Sequence, residues 1–308
     1  MNILVTGATG FVGINVVNAL YKEHNVSVLA RNTKKAENYF QDSVKIYKGD
    51  ILDIRAIDSA MCDKDVLIHI AGLIKSFDAE NLYLINRIGS RNVSEVAAKH
   101  KIKNIITISS LAARGPLETK FPVSHYGYSK LTGEYEFLKN HFANNLKILR
   151  PPIIYGYYEK ELFTLFKMAK LGILPTIKDK LFSFIFIEDL VDAIKRLIDL
   201  NVNYSKTYYV SDGNVYSWSS VADSMFESVG KKGVKLRLNP IFANIIAYST
   251  YWMKDKAPFT LDKINEIKAD RWICDYEGLR NDTGFIPKYN LKKGFKETYE
   301  WYRKNRWL

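Results

Sequence analysis

The sequence predicts an α/β protein: a doubly wound parallel sheet with a smaller, mainly helical second domain. Two observations predict it. Over the first 150 residues, short runs that are apolar throughout alternate with stretches whose apolar residues recur every three to four positions. Strands apolar on both faces need cover on both sides, which means a parallel sheet between helical layers. The first such strand also runs into Gly7, Gly10 and Gly13, three apart, and then into a helical pattern. A chain of 308 residues, 47% apolar and 25% charged, can bury a large core without cross-links.

The elements follow in order. "NILVTG" (2–7) reads as a strand and "FVGINVVNALYKEH" (11–24) as a helix with apolar spacing near 3.6. "VSVLA" (26–30) and "SVKIYKGD" (43–50) are strands, and "DIRAIDSAM" (53–61) is helical. "DVLIHIAG" (65–72) is a continuous apolar strand. A helical pattern covers about 80–100, then "NIITISS" (104–110) is a strand, about 125–143 a helix, and "LKILRPP" (146–152) a strand into a loop. The crossovers joining such strands are right-handed. The second half is less regular. "FSFIFIEDLVDAIKRLIDL" (182–200) reads as strand then helix and "KTYYVSDG" (206–213) as strand then turn, with helical patterns near 217–230, 240–254 and 291–306. No long linker divides the chain, so the parts interleave: 1–150 plus about 182–212 for the sheet domain, about 151–181 plus 213–308 for the second.

Composition narrows the function. The net charge of +12 is spread without a run of five or six basic residues. This is a lysine-rich solvated surface with some attraction for anions, and it lacks the concentrated stripe that nucleic-acid binding wants. "PIFANIIAYSTYWM" (240–253) is shorter than the roughly 20 residues that span a bilayer and reads as a buried helix rather than a membrane contact. Cys62 and Cys274 are far apart and form no CxxC, which fits a reduced, cytoplasmic setting. The amino terminus lacks the charged lead and cleavage site of a signal peptide. His24, His69, His100, His125 and His141 show no HxxxH or HxH spacing, so no metal site is expected. No GxSxG marks a hydrolase.

The glycine corner carries the first chemistry. Gly7 permits a tight turn, Gly10 lets backbone approach a pyrophosphate, and Gly13 lets the helix pack closely on the strand. The N–H groups around Thr9, Phe11 and Val12 then face the anion. This is a dinucleotide site. An acidic residue at the tip of the second strand would bind the ribose of NAD, whereas an arginine accommodates a 2′-phosphate. That strand ends "VLARNTKK", with Arg31 at the tip and no acid, so NADP is favoured and NAD is the alternative. Asp50, with Ile51 beside it in "GDILD", could reach the adenine or cap the following helix.

The second chemistry lies in "HYGYSK" (125–130). Tyr126 and Lys130 are four apart and share a helix face, whereas Tyr128 has only Thr132 at that offset. A phenol with a pKa near 10 is a poor base. A lysine one turn away and a positive nicotinamide ring would lower that pKa. Tyr126 could then exchange a proton with a substrate oxygen held by a serine hydroxyl. Ser109 and Ser110 end the preceding strand. A lone YxxxK is a weak signal; with the strand-end serine and the glycine corner it is a strong one.

With these residues in place, the chain resembles the extended short-chain dehydrogenase/reductases, the NAD-dependent epimerase/dehydratase family. The resemblance runs through "TGATGFVG" (6–13), "GDILD" (49–53), "HIAG" (69–72), "NRIGSRNV" (86–93), "ISSLAARG" (108–115), "YGYSK" (126–130), "RPPIIYG" (150–156) and "FIEDLVDAI" (186–194). It implies a Rossmann-type fold over essentially the whole chain, with Ser110 and Tyr126 catalytic. Ser110 is chosen over Ser109 because it directly precedes "LAARG". By the same resemblance Lys130 binds the ribose hydroxyls and tunes Tyr126. Asn86 supports that lysine through a water, and Ala71 and Gly72 line the nicotinamide ribose. The backbone after Pro151, as far as Ile153, meets the carboxamide. A homodimer through the helices near 80–100 and 125–143 is likewise implied.

Departures bear on the substrate. Nucleotide-sugar members usually carry an asparagine just before the "YG", absent from "RPPIIYG", and often Arg-Asp where this chain has "LFSFIFIEDL". Phe182, Phe184, Phe186, Tyr155, Tyr157 and Tyr158 stand in this region instead, closer to the reductase branch that handles hydrophobic alcohols and ketones. The short gap from Ser110 to Tyr126 suggests a trimmed loop over the site. Lys167, Lys170 or Lys178 could replace the lost phosphate grips. The main expectation is an NAD(P)-dependent oxidoreductase acting on a hydroxyl/keto pair of a small, largely apolar molecule. The alternatives are a nucleotide-sugar epimerase or dehydratase and a non-catalytic cofactor-bound sensor; intact Ser110, Tyr126 and Lys130 count against the last.

Overall fold

The structure is a computed structural model and describes residues 1–141, 145–176, 180–237 and 261–308. The first six strands are β1 (Asn2–Thr6), β2 (Asn25–Ala30), β3 (Lys45–Lys48), β4 (Val66–His69), β5 (Asn104–Ile108) and β6 (Asn145–Arg150). Four short strands follow, β7 (Ile153–Tyr155), β8 (Ile173–Thr176), β9 (Leu181–Phe182) and β10 (Phe184–Phe186), and then β11 (Lys206–Tyr209). A seven-stranded sheet has the order β11-β6-β5-β4-β1-β2-β3, and every neighbouring pair is parallel. The strand order reverses between β1 and β4, and the crevice at the carboxyl ends there is where such sheets bind ligands.

Period-two geometry explains why these runs are apolar throughout. Ile3 and Val5 of β1 join Val28, Ile68 and Ile106 in one core. Leu4 between them joins Leu67, Ile105 and Ile148 in the other. Each face is covered by helices. α1 (Phe11–Leu20) and α8 (Ile187–Asp199) cover the first; α3 (Ile54–Met61), α5 (Ser90–Lys99) and α6 (His125–His141) cover the second. The short α2 (Thr33–Glu37) follows β2, and α4 (Ala79–Tyr83) precedes a π-helical turn, Leu84–Gly89, that leads into α5. The helix expected over about 80–100 is therefore interrupted. Such π turns widen a helix locally and often mark functional sites; here the turn buries Asn86.

The expected helix over 11–24 stops at Leu20. The second half holds pieces that the sequence patterning did not resolve. They are α7 (Glu161–Lys170), β12 (Tyr216–Ser217), β13 (Val234–Arg237), α10 (Leu261–Lys268), β14 (Arg271–Trp272) and α11 (Glu277–Thr283). α9 (Trp218–Ser228) and α12 (Leu291–Lys304) match the expected helices. β9 lies between β12 and β14, β13 pairs with β8, and β10 with β7. Strands of two to four residues have too few positions to show a period. Residues 240–253 and Lys178 lie outside the described residues. Among the described residues no helix is long and apolar enough to cross a membrane.

Candidate functional site

The glycine corner is built as its spacing predicts. Gly7 has φ +72°, and a Cβ there would lie 2.5 Å from the Ala71 nitrogen. The turn after β1 and the end of β4 can touch only because that carbon is missing. A Cβ on Gly13 would lie 2.3 Å from the Gly7 oxygen, so α1 packs directly on the loop. Gly10 is different: its missing Cβ would meet only the Gly7 oxygen, at 3.3 Å. That leaves open space beside an exposed backbone. α1 begins there without a side-chain cap or an acidic residue in its first turn. Thr9, Phe11 and Val12 are half-buried around this opening, with the first N–H groups of a helix directed outward. Asn15 Nδ2 ties α1 to the loop after β7 by donating to the Tyr157 carbonyl at 3.1 Å. These residues form a cradle that fits a pyrophosphate.

Farther along the edge, Arg31 is exposed, and its Nε lies 3.6 Å from Asp50 Oδ2. Asp50 Oδ1 accepts from the Leu52 N–H, but the cap of α3 is Asp53, which accepts from Arg55 and Ala56. The helix-cap alternative for Asp50 is thus corrected. The Ile51 side chain is core, packed on Gly89, and its carbonyl accepts from Asn92.

The candidate reacting groups come together where α6 docks along β5. Three consecutive residues at the end of β5 meet three α6 residues spaced four apart. Lys130 Nζ donates to the Ile108 carbonyl at 2.8 Å. The Ser109 hydroxyl donates to the Glu134 carboxylate. The Ser110 hydroxyl faces the Tyr126 phenol and pulls its pKa down, and it accepts from the Ala112 N–H at 3.1 Å. Of the two serines, Ser109 is consumed by Glu134 and Ser110 faces the tyrosine. Tyr128 is 45% exposed. Lys130 Nζ and Asn86 Oδ1 both border Gly72, 3.4 and 3.1 Å from where its Cβ would be. Asn86 itself grips the Leu73 backbone at both its N–H (2.7 Å) and carbonyl (2.9 Å), and donates to Ser129 Oγ at 2.8 Å. It therefore fixes the Ala71–Gly72–Leu73 strand end on α6. Pro151 accepts from the Leu111 N–H, and Ile153 pairs with Phe184 in β7.

Electrostatics set the proton states. Burial pushes the Tyr126 phenol up to about 12; Ser110 pulls it down, and Glu266 and Lys263 act in opposite senses. The lowering expected from Lys130 is corrected: the downward pulls come from Ser110 and Lys263, burial outweighs them, and Tyr126 holds its proton at neutral pH. Burial pushes Lys130 down to about 8, against an upward pull from Glu134. Buried His69 is pushed down to about 3, by burial and then by Lys130. It stays neutral, bonded to Thr6 Oγ1 and Ser90 Oγ.

Sequence reasoning missed three supports. Asp262, from α10, caps α6 by accepting from the N–H groups of His125 (2.5 Å) and Tyr126 (3.0 Å). Glu134 and Arg150 form a buried ion pair behind Ser109. His69 bridges β4 to α5. Only Glu134 carried a local signal, one turn beyond Lys130. Other expectations are corrected. Tyr155, Phe184 and Phe186 are fully buried core packed around Phe295 and Tyr289, so they line no pocket. Phe182 packs on Trp218, and Tyr157 and Tyr158 on Trp301. Lys167 is exposed and lies over the Phe163 ring; Lys170 is exposed at the end of α7. A concavity of about 520 Å³ lies at the amino ends of β1–β3, by Asn25, Lys45, Tyr47 and Lys64. It is at the opposite edge from the residues above. Among the described residues no group of three or more His, Cys, Asp or Glu is placed to hold a metal.

The sequence model of the NAD dependent epimerase/dehydratase family matches residues 3–210. The chain belongs to that family. A ceramide reductase of Caulobacter vibrioides is 30% identical over 99% of this chain and 96% of its own length. A UDP-glucose 4-epimerase of Vibrio cholerae is 28% identical over 96% and 94%. Among solved structures, UDP-glucose 4-epimerase of Thermotoga maritima superposes with a TM-score of 0.79 at 21% identity, covering 99% and 100%. WbmG of Bordetella bronchiseptica, bound to NAD, does so at 0.79 and 19%, covering 99% and 94%. These structures share the fold. As a member of the epimerase/dehydratase family, the protein is an NAD-dependent enzyme of oxidoreductase or epimerase type.

Proposed function

We propose that the protein reduces a keto group, or oxidises the matching hydroxyl, on a small and largely apolar substrate, with NADP(H) as preferred cofactor and NAD(H) as alternative. The observation that carries the reaction is Tyr126, protonated, facing Ser110 and one turn from Lys130 at the end of β5. In this reading the cradle of Gly7, Thr9, Gly10, Phe11, Val12 and Gly13 holds the pyrophosphate. Arg31 holds a 2′-phosphate, and Asp50 and Ile51 border the adenine. Ala71, Gly72, Lys130 and Asn86 hold the nicotinamide ribose, and Pro151 and Ile153 the carboxamide. When bound, the nicotinamide supplies or accepts the hydride. Ser110 Oγ orients the substrate oxygen, and Tyr126 Oη gives it a proton. A phenol held near 12 is an acid before it is a base, which favours reduction.

The apolar substrate is supported by the ceramide reductase relative and by the missing asparagine and Arg-Asp. A buried diphosphate without partners is heavily penalised, and Lys167 and Lys170 stand exposed on α7. The second reading, a nucleotide-sugar epimerase or dehydratase, is favoured by the full-length Vibrio relative. We further propose that 151–181 and 213–308 form the substrate domain. A homodimer would bury Leu84, Tyr128 and Tyr135, exposed on the π turn and α6. The free Cys62 and Cys274 fit a cytoplasmic setting.

The test is calorimetry with NADPH and NADH on wild type and Arg31→Ala, then turnover of a panel of long-chain ketones against UDP-glucose and dTDP-glucose. NADPH should bind more tightly, with that preference lost in Arg31→Ala. Equal affinities refute the cofactor preference. Micromolar binding of a nucleotide diphosphate, competitive with turnover, replaces the reductase reading with the epimerase one.

A further inference from the structure

We propose that Glu134 is a positioning residue: by bridging Ser109 and Arg150 it locks α6 in register on β5 and holds the Lys130 ammonium at Gly72. The inference rests on the reading of Lys130 as a cofactor-binding cation. Three observations carry it.

The first is the ladder itself. Tyr126, Lys130 and Glu134 meet Ser110, Ile108 and Ser109 from one face of α6. A slip of α6 along its axis breaks all three contacts at once. The Lys130 rung is a single hydrogen bond, and at the Tyr126 rung two hydroxyls face each other. The third is anchored, because Glu134 also takes Arg150 at Nε (2.8 Å) and Nη2 (2.5 Å). A bidentate, charge-assisted pair fixes both distance and angle.

The second is burial. The Glu134 and Arg150 side chains are 4% and 14% exposed. A surface pair is worth little, but a buried one strands a charge if it is broken. Arg150 is further held by the Tyr209 hydroxyl at 3.0 Å. Burial works against its charge, yet Glu134 and Tyr209 raise its pKa above the ordinary value.

The third is what surrounds Lys130. Neutral His69 faces it from β4, and the Asn86 amide stands beside it at Gly72. The Ile108 carbonyl takes one of its protons, and Arg150 of β6 lies behind Glu134. Glu134 is the one anion that acts on Lys130 among these groups. A merely structural brace would leave the titration of Lys130 where it is; a charged brace moves it.

The experiment measures NADH affinity as a function of pH, by fluorescence transfer from protein to bound cofactor. In wild type the affinity should fall as pH rises through about 8, as Lys130 loses its proton. Lys130→Met should bind weakly and lose that step. Glu134→Gln keeps the shape of the side chain and removes the charge, so the step should move down by about one pH unit. Because Glu134→Gln strands the buried Arg150 charge, which by itself is destabilising, the double variant Glu134→Gln/Arg150→Met is measured beside it. It removes both charges, and its step should also lie below that of wild type. A wild-type midpoint in the folded Gln variant, or in the double variant, overturns the inference even if affinity drops. If Lys130→Met binds NADH like wild type and keeps the step, the assignment of Lys130 itself fails, and the role of Glu134 with it.

Discussion

Gly133→Ala separates catalysis from stability. Gly133 lies on the α6 face that packs on the π turn. A Cβ there would sit 2.3 Å from the Asn86 carbonyl and 3.1 Å from Ser90 Oγ. Real contacts of this kind stay beyond 3.0 Å, so α6 and the turn must part by about 0.7 Å. Two effects oppose each other in the stability. Alanine gains about 1 kcal/mol over glycine in a helix interior, while overpacking costs about 1–3 kcal/mol. The net loss is at most about 2 kcal/mol, which lowers Tm by no more than about 6 °C in a chain of this size. Function has no such compensation. The displaced groups are Asn86, which fixes the strand end at Gly72, and α6, which carries Tyr126 and Lys130. A misplacement near 1 Å costs up to about 100-fold in rate. The assay pairs thermal melting by circular dichroism with oxidation of the reduced cofactor on the ketone that wild type turns over best. The expected outcome is a near-native Tm with turnover reduced about 10–100-fold. Wild-type turnover in a folded Gly133→Ala protein would show that the contact between α6 and the π turn does not position the site.

Further outcomes follow from the same geometry. Tyr126→Phe should lower turnover by about 10²–10⁴ with cofactor affinity nearly unchanged, while Tyr128→Phe is mild; the reverse order in steady-state kinetics assigns the wrong tyrosine. Asp262→Ala removes the cap of α6 and should cost about 1–2 kcal/mol, read as a lower denaturant midpoint; an unchanged midpoint means α10 does not hold the helix. His69 is held near 3 when folded and titrates near 6.5 when unfolded. The unfolded chain therefore binds the extra proton between these values, and stability falls as pH drops below about 6.5, by about 1.4 kcal/mol per unit. His69→Gln should flatten that part of the pH–stability curve, and an unaltered slope would exclude His69 as its source.

Much of this protein was legible along the chain because the signals are local. Strands such as Ile3-Leu4-Val5 are apolar throughout since successive residues enter opposite cores. Gly7, Gly10 and Gly13 announce the corner since the turn at Gly7 and the close packing at Gly13 exclude a Cβ, and Gly10 keeps the approach between them open, at a set spacing. Tyr126 and Lys130 are paired by helical periodicity alone. What the tertiary structure decided was every assignment that needs a neighbour distant in sequence. Ser109 and Ser110 are told apart in the sequence only by resemblance, through the "LAARG" that follows Ser110; the physical reason, the Glu134 carboxylate on α6 that takes Ser109, appears only in the fold. The aromatic residues around 155 and 184 look like a pocket lining until Phe295, more than a hundred residues later, closes over them as core. Asp262 caps a helix that begins 137 residues earlier, a pairing without local pattern because a carboxylate needs only to arrive at the free N–H groups, from whatever part of the chain the fold brings there.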